Sequence, residues 1–117
     1  MGYARTDMNS GKTFWIWLAG FWEGEGSLNR SIGIRITQKN PIPLWKIQQV
    51  AGGVVAKEIM GGGQHYWRWR VTSDSEVRAI LTKIRPFLTF RLMEVNSYLF
   101  DRPKRKYNRH RIVRTML

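Results

Sequence analysis

Residues 14–22, FWIWLAGFW, turn an apolar side chain toward nearly every direction a helix can present, and the run then breaks at E23-G-E-G26. A helix that is apolar all round must be covered on several sides at once. This segment therefore has to sit at the centre of whatever the chain folds into. Thr13 reads as its N-cap. Gly20 and Gly24, four apart, share one face, where bare backbone would let another helix approach closely and offset the roughly 1 kcal/mol that each glycine costs a helix. Gly24 and Gly26 also read as helix terminators, and the two readings are compatible.

After this helix the period changes. In S27-L-N-R-S-I-G-I-R-I-T-Q-K39, Ile32, Ile34 and Ile36 fall on one side, with Ser31, Gly33, Arg35, Thr37 and Lys39 on the other. That is the pattern of a half-buried antiparallel strand with a basic outer face. Asn40-Pro-Ile-Pro43 stops it, and Leu44, Ile47, Val50 and Ala51 have helical spacing. Residues 54–60 read as a short strand of either inward parity. Beyond Gly61-Gly-Gly63, Trp67, Trp69 and Val71 alternate with Gln64, Tyr66, Arg68 and Arg70. Thr72/Ser73 with Glu76 reads as a capping box for a helix to Ile84; Pro86 interrupts it, and a last helix runs over 91–100. The expected order is α-β-β-α-β-β-α-α: an α+β domain over 13–100, with a leader at 1–12 and a basic tail at 101–117. Two hairpins would form a four-stranded antiparallel sheet with helices on one face and a basic, open opposite face.

The charge of the chain narrows its partners. With 20 Lys+Arg against 8 Asp+Glu the net charge is +12, which draws polyanions and makes their binding salt-sensitive. Nucleic acid is favoured over anionic membrane, because no long amphipathic helix joins the cations to a wide apolar face. Six tryptophans and 43% hydrophobic residues argue for a folded domain and against a disordered basic tail. There is no cysteine, so thiol catalysis, disulfides and thiolate zinc sites are excluded. A signal peptide and a membrane span are both lacking, which implies a soluble intracellular protein. Gly11-Lys12-Thr13 ends like a phosphate-binding loop, but Thr6 stands where that motif needs glycine. His65 and His110 lack the partners of a metal site, Trp67 and Trp69 read as core, and R102-P-K-R-K-Y-N-R-H-R-I-V-R114 reads as a phosphate-neutralising tail.

Against that charge, Glu23 and Glu25 between glycines need a reason. A carboxylate at a helix end, on a basic protein facing phosphates, supplies the hard oxygen that Mg²⁺ prefers. One carboxylate and a carbonyl hold Mg²⁺ poorly, but packing of the Gly20/Gly24 face against a second copy would bring two such sites to the two-fold axis.

L18-A-G-F-W-E-G-E-G26 resembles the nine-residue LAGLIDADG motif of the homing endonucleases, matching at Leu18, Ala19, Gly20 and Gly26, with Glu for Asp at 23 and 25. Ser27, the following strand and the element order agree, so the resemblance covers about residues 13–100. It implies a Mg²⁺-dependent, site-specific double-strand DNA endonuclease, intron-encoded or the like, that leaves 5′ phosphates, 3′ hydroxyls and short 3′ overhangs. Only one motif is present, which implies a homodimer on a roughly palindromic site. By resemblance, Glu25 and the carbonyl of Gly24 bind metal, Glu23 is structural, Gln38 at the strand end orients water and Arg91 stabilises phosphate charge. Trp17, Gly20, Phe21 and Gly24 form the dimer interface. Asn29, Arg30, Arg35, Thr37, Lys39, Gln64, Tyr66, Arg68, Arg70, Lys104 and Arg105 contact DNA. The hairpin near Leu28 to Ile32 is shorter than in relatives, which should shorten the site or loosen specificity. The alternatives are a catalytically silent relative, acting as an RNA-splicing maturase or transcription regulator, and a ribosomal-type RNA-binding protein, which would leave Glu25 without a purpose.

Overall fold

The structure, a computed structural model, describes residues 11–101. Helix α1 (Lys12–Glu25) is followed by β1 (Gly26–Asn29), β2 (Gly33–Gln38), α2 (Ile42–Ala51), β3 (Val54–Ile59), β4 (His65–Val71), α3 (Asp74–Ile84) and α4 (Leu92–Phe100), with single 3₁₀ turns at Gly61–Gly63 and Arg85–Phe87. The four strands form one antiparallel sheet in the order β1-β2-β4-β3. This is the expected α+β architecture.

Register decides which side chains share a face. Ile36 lies opposite Trp69, which lies opposite Val55, and Ile34 lies opposite Val71 and Leu28. Ile34, Ile36, Trp69 and Val71 are buried against Phe14, Leu18, Trp22, Leu44, Ile47, Val77, Leu81, Ile84 and Val95 from the helices. The alternate set, Arg35, Thr37, Arg68, Arg70, Tyr66, Ala56 and Glu58, takes the opposite parity and forms the open face. The unsettled parity of residues 54–60 is thus resolved: Val55 points inward and Glu58 outward.

Three local expectations change. Thr13 is not an N-cap, because α1 begins at Lys12 with Gly11 as its cap and no side-chain cap bond. Ile32 does not join the inward isoleucines but lies in the β1–β2 turn, 37% exposed. Ser73 does cap α3, but its side chain makes no capping bond; its hydroxyl meets Ser75 instead. Pro86 ends α3 as read, through the 3₁₀ turn.

Close approach dictates glycine at positions that include 26 and 33. At Gly26 a Cβ would overlap the Trp22 indole, whose Nε1 donates to the Ser27 carbonyl at 3.3 Å. At Gly33 φ is +89°, and a Cβ would overlap the Val71 carbonyl oxygen.

Candidate nucleic-acid interface and catalytic site

Alternate residues of α1 serve different neighbours. Phe14, Leu18, Ala19 and Trp22 are buried in the core, while Gly20 and Gly24 are exposed and nothing lies within 4 Å of a Cβ built on either. Trp17 and Phe21, half-buried and stacked with centroids 5.4 Å apart, flank that bare stripe, and Ile16 is 46% exposed beside it. The four residues read as a dimer interface therefore share one open apolar strip.

At the C-terminal end of α1 the two glutamates separate. Glu23 is buried, and its carboxylate accepts the N–H of Thr89 (2.7 Å), Phe90 (2.8 Å) and Arg91 (3.0 Å) and the Thr89 hydroxyl (2.9 Å). Burial pushes its carboxyl up, but these donors outweigh burial and hold it below the ordinary glutamate range. It ties the segment before α4 to the central helix. Glu25 is exposed, and its Oε1 accepts Gln38 Nε2 at 3.0 Å. That bond joins the end of α1 to the end of a central strand, so two of the residues read as catalytic are neighbours.

Arg91 is committed differently from the expectation of a guanidinium waiting on phosphate. Its Nη1 donates to the carbonyls of Trp22 (3.0 Å) and Gly26 (2.7 Å), its Nε and Nη2 grip Glu94 at 2.9 and 3.0 Å, and it lies 3.9 Å over the Trp22 ring. One Nη2 hydrogen is left, and the side chain is 17% exposed. It satisfies carbonyls at the helix C-terminus, where the dipole is negative and a cation is favoured.

Among the described residues no cluster of three or more His, Cys, Asp or Glu exists. The oxygens that could serve a metal there are those of Glu25, whose Oε2 receives no hydrogen bond from the described residues, and of Gly24 in the last helical turn, where the helix ladder leaves carbonyls over. Hard oxygen donors at the negative end of a helix suit a hard divalent cation.

The open face carries most of the residues read as DNA-contacting. Arg35 stands directly opposite Arg70 and Thr37 opposite Arg68. Tyr66 donates to Gln64 Oε1 at 2.9 Å, and Lys39 Nζ lies 5.8 Å over the Tyr66 ring, so Gln64 and Lys39 extend the face at its end. Asn29 and Arg30 are engaged within the protein. Asn29 Oδ1 closes the β1–β2 turn by accepting Ser31 N–H (2.7 Å) and Oγ–H (2.6 Å). Arg30 Nη2 shares its hydrogens among the carbonyls of Ser97, Tyr98 and Asp101 at 2.8, 2.9 and 3.1 Å, and the guanidinium lies 4.7 Å over the Tyr98 ring. It binds the turn to the C-terminal end of α4. Lys104 and Arg105 lie outside the described residues. Glu58, which sequence reasoning missed, reaches Arg68 across the sheet; the β3–β4 register is the signal that finds it.

No family model matches the sequence, and no curated protein matches it. Solved structures do. The homing endonuclease I-CvuI in complex with the I-CreI target C1221 and 2 mM Mg, its DNA not cleaved, superposes with TM-score 0.65 at 22% identity, over 75% of this chain and 64% of that one. I-CvuI in complex with its target Sro1.3 and 2 mM Ca gives TM-score 0.64 at the same identity and coverage. This chain thus spans 64% of the length of the I-CvuI chain. No helix among the described residues is long and apolar enough to cross a membrane. In its fold, the chain thus matches the homing endonuclease I-CvuI.

Proposed function

We propose that the chain is a homodimeric, divalent-metal-dependent endonuclease that cuts both strands of a roughly palindromic DNA site. The observation that carries the reading is the Gln38–Glu25 bond at 3.0 Å, which puts a metal-competent carboxylate and a polar amide where the basic sheet meets the α1 terminus. Glu25 and the Gly24 carbonyl would hold the metal, with the second copy's pair beside them at the axis. A hard cation there supplies charge against the scissile phosphate and acidity to water. Gln38 orients the attacking water; the water oxygen adds to phosphorus and gives up a proton to solvent, the P–O3′ bond breaks and the 3′ oxygen takes a proton from solvent. Arg91 acts as a positioning residue, fixing the helix end that presents Glu25. Arg35 and Arg70 support polyanion binding: like charges directly across a strand pair destabilise the sheet, and an anion on that face relieves them.

The arrest of Arg91 in carbonyl and Glu94 contacts favours a second reading, a DNA- or RNA-binding protein on the same scaffold without cleavage. Purified protein on a randomised DNA library with Mg²⁺, beside Glu25→Gln and a Ca²⁺ control, separates them. Defined double-strand cuts absent from both controls support the nuclease. Binding that is equally tight in Glu25→Gln, with no cuts, supports the silent form.

A further inference from the structure

The cations of the open face are not equivalent. Arg35 and Arg70 have no carboxylate within ion-pair distance among the described residues, whereas Arg68 is held. Its Nη1 reaches both Glu58 oxygens, at 3.0 and 3.2 Å, and its Nε donates to Thr37 Oγ1 at 3.3 Å. A row of three side chains thus crosses the sheet from β2 through β4 to β3. Both charged members are partly covered, with Arg68 and Glu58 side chains 23% and 29% exposed. Glu58 stands on a surface whose other ionised groups are all positive, and a carboxylate near phosphates weakens binding to any DNA.

A carboxylate earns its place on such a face when it has an amino group to accept from, and bases offer one. Along the major-groove edge of a G·C pair the order is acceptor N7, acceptor O6, donor N4–H₂. Arg68 keeps both Nη2 hydrogens outside its contacts with Glu58 and Thr37, and Glu58 lies beside it, so the pair presents donors next to an acceptor. An A·T edge runs acceptor, donor, acceptor, which would set donor against donor or carboxylate against the thymine oxygen.

We infer that Glu58 and Arg68 form one reading unit for a single G·C base pair in each half-site, with Arg68 donating to the guanine edge and Glu58 accepting from the cytosine amino group. The inference rests on the reading of the open face as a DNA interface, and adds that Glu58 lowers affinity for DNA lacking that pair. The positive residues around it then grip phosphate without sequence choice, and the one carboxylate supplies discrimination.

Selection from a randomised duplex library by the full chain, in Ca²⁺ and at fixed salt, tests this. Wild type should enrich G·C at one position per half-site. Glu58→Gln, nearly isosteric, should lose about tenfold of that discrimination, the size of one good base contact, with other positions unchanged and affinity for random duplex raised. Arg68→Lys, which keeps charge without the fork, should lose guanine at the same position. Arg35→Ala and Arg70→Ala should weaken binding to all sequences alike. A selection profile identical in wild type, Glu58→Gln and Arg68→Lys would overturn the inference and leave the pair an ion bridge within the sheet; a change at an A·T position would overturn it too. Wild type that binds no duplex would instead bring down the DNA interface itself.

Discussion

Three consecutive N–H groups, from Thr89, Phe90 and Arg91, end on the one carboxylate of Glu23, while Glu25 two residues on faces outward with one partner, Gln38. Removing the first leaves three part-buried donors without their partner, and a donor left unpaired costs up to about 1–3 kcal/mol when fully buried. Glu23→Ala should therefore lower unfolding free energy by roughly 1–3 kcal/mol in urea titration, with any loss of cutting following from instability. Glu25→Gln should leave the unfolding free energy within about 0.5 kcal/mol of wild type, as surface changes do, and abolish cutting. Gln38→Ala should behave like Glu25→Gln, since Gln38 lies at the end of β2 and bonds the Glu25 carboxylate. The acid limb belongs to the same scale. The carboxyl of Glu23 is below its ordinary value of 4.5, so its contribution is complete above that value and is lost as pH falls through the lower folded value. Asp74, held down first by its hydrogen bond to Arg78 and then by that to Tyr98, adds to the same limb. Glu23→Gln should flatten the fall in stability below about pH 4.5, and an unchanged acid limb would refute the assignment.

At the scale of elements, α1 has one face sealed by its own domain and one left bare, and glycine substitutions distinguish them. At Gly20 or Gly24 a Cβ would meet nothing within 4 Å among the described residues. Gly24→Leu should therefore fold as stably as wild type, helped by up to about 1 kcal/mol of helix propensity, while sedimentation shows a monomer where wild type gives a dimer. Gly26→Ala, whose Cβ would overlap the Trp22 indole, should cost about 1–3 kcal/mol by overpacking. Periodicity made most elements legible: Ile34 and Ile36 against Arg35 and Thr37, and Trp69 and Val71 against Arg68 and Arg70, mark strands without help. What stayed illegible depended on contacts between elements. Asn29 and Arg30 look like free polar groups on a hairpin until α4 arrives to take Arg30, and Arg91 looks like a free cation until Trp22, Gly26 and Glu94 surround it. Glu58 needed the β3–β4 register, because V54-V-A-K-E-I59 has no alternation from which to read a side.

For the whole molecule, the proposed DNA binding turns on how many of its cations would meet phosphate. Arg35, Lys39 and Arg70 are the open-face cations outside any ion pair among the described residues, three per protomer and six in a dimer. Each phosphate neutralised contributes about 0.9 to the slope of log K against log salt, so this face alone predicts a slope near −5. Arg68, engaged with Glu58 and inferred to read a base, should add little to it: Arg68→Ala should relax selectivity with the slope nearly unchanged, whereas Arg70→Ala should reduce the slope by about 2 per dimer. Residues 102–114 contain seven further lysines and arginines and no acid. Truncation after Asp101 separates their charge from that of the sheet in a titration from 50 to 200 mM salt. A slope that stays near −5 after truncation assigns phosphate neutralisation to the sheet; a slope that collapses toward zero transfers it to the basic segment, and the open face would then read bases without providing the grip.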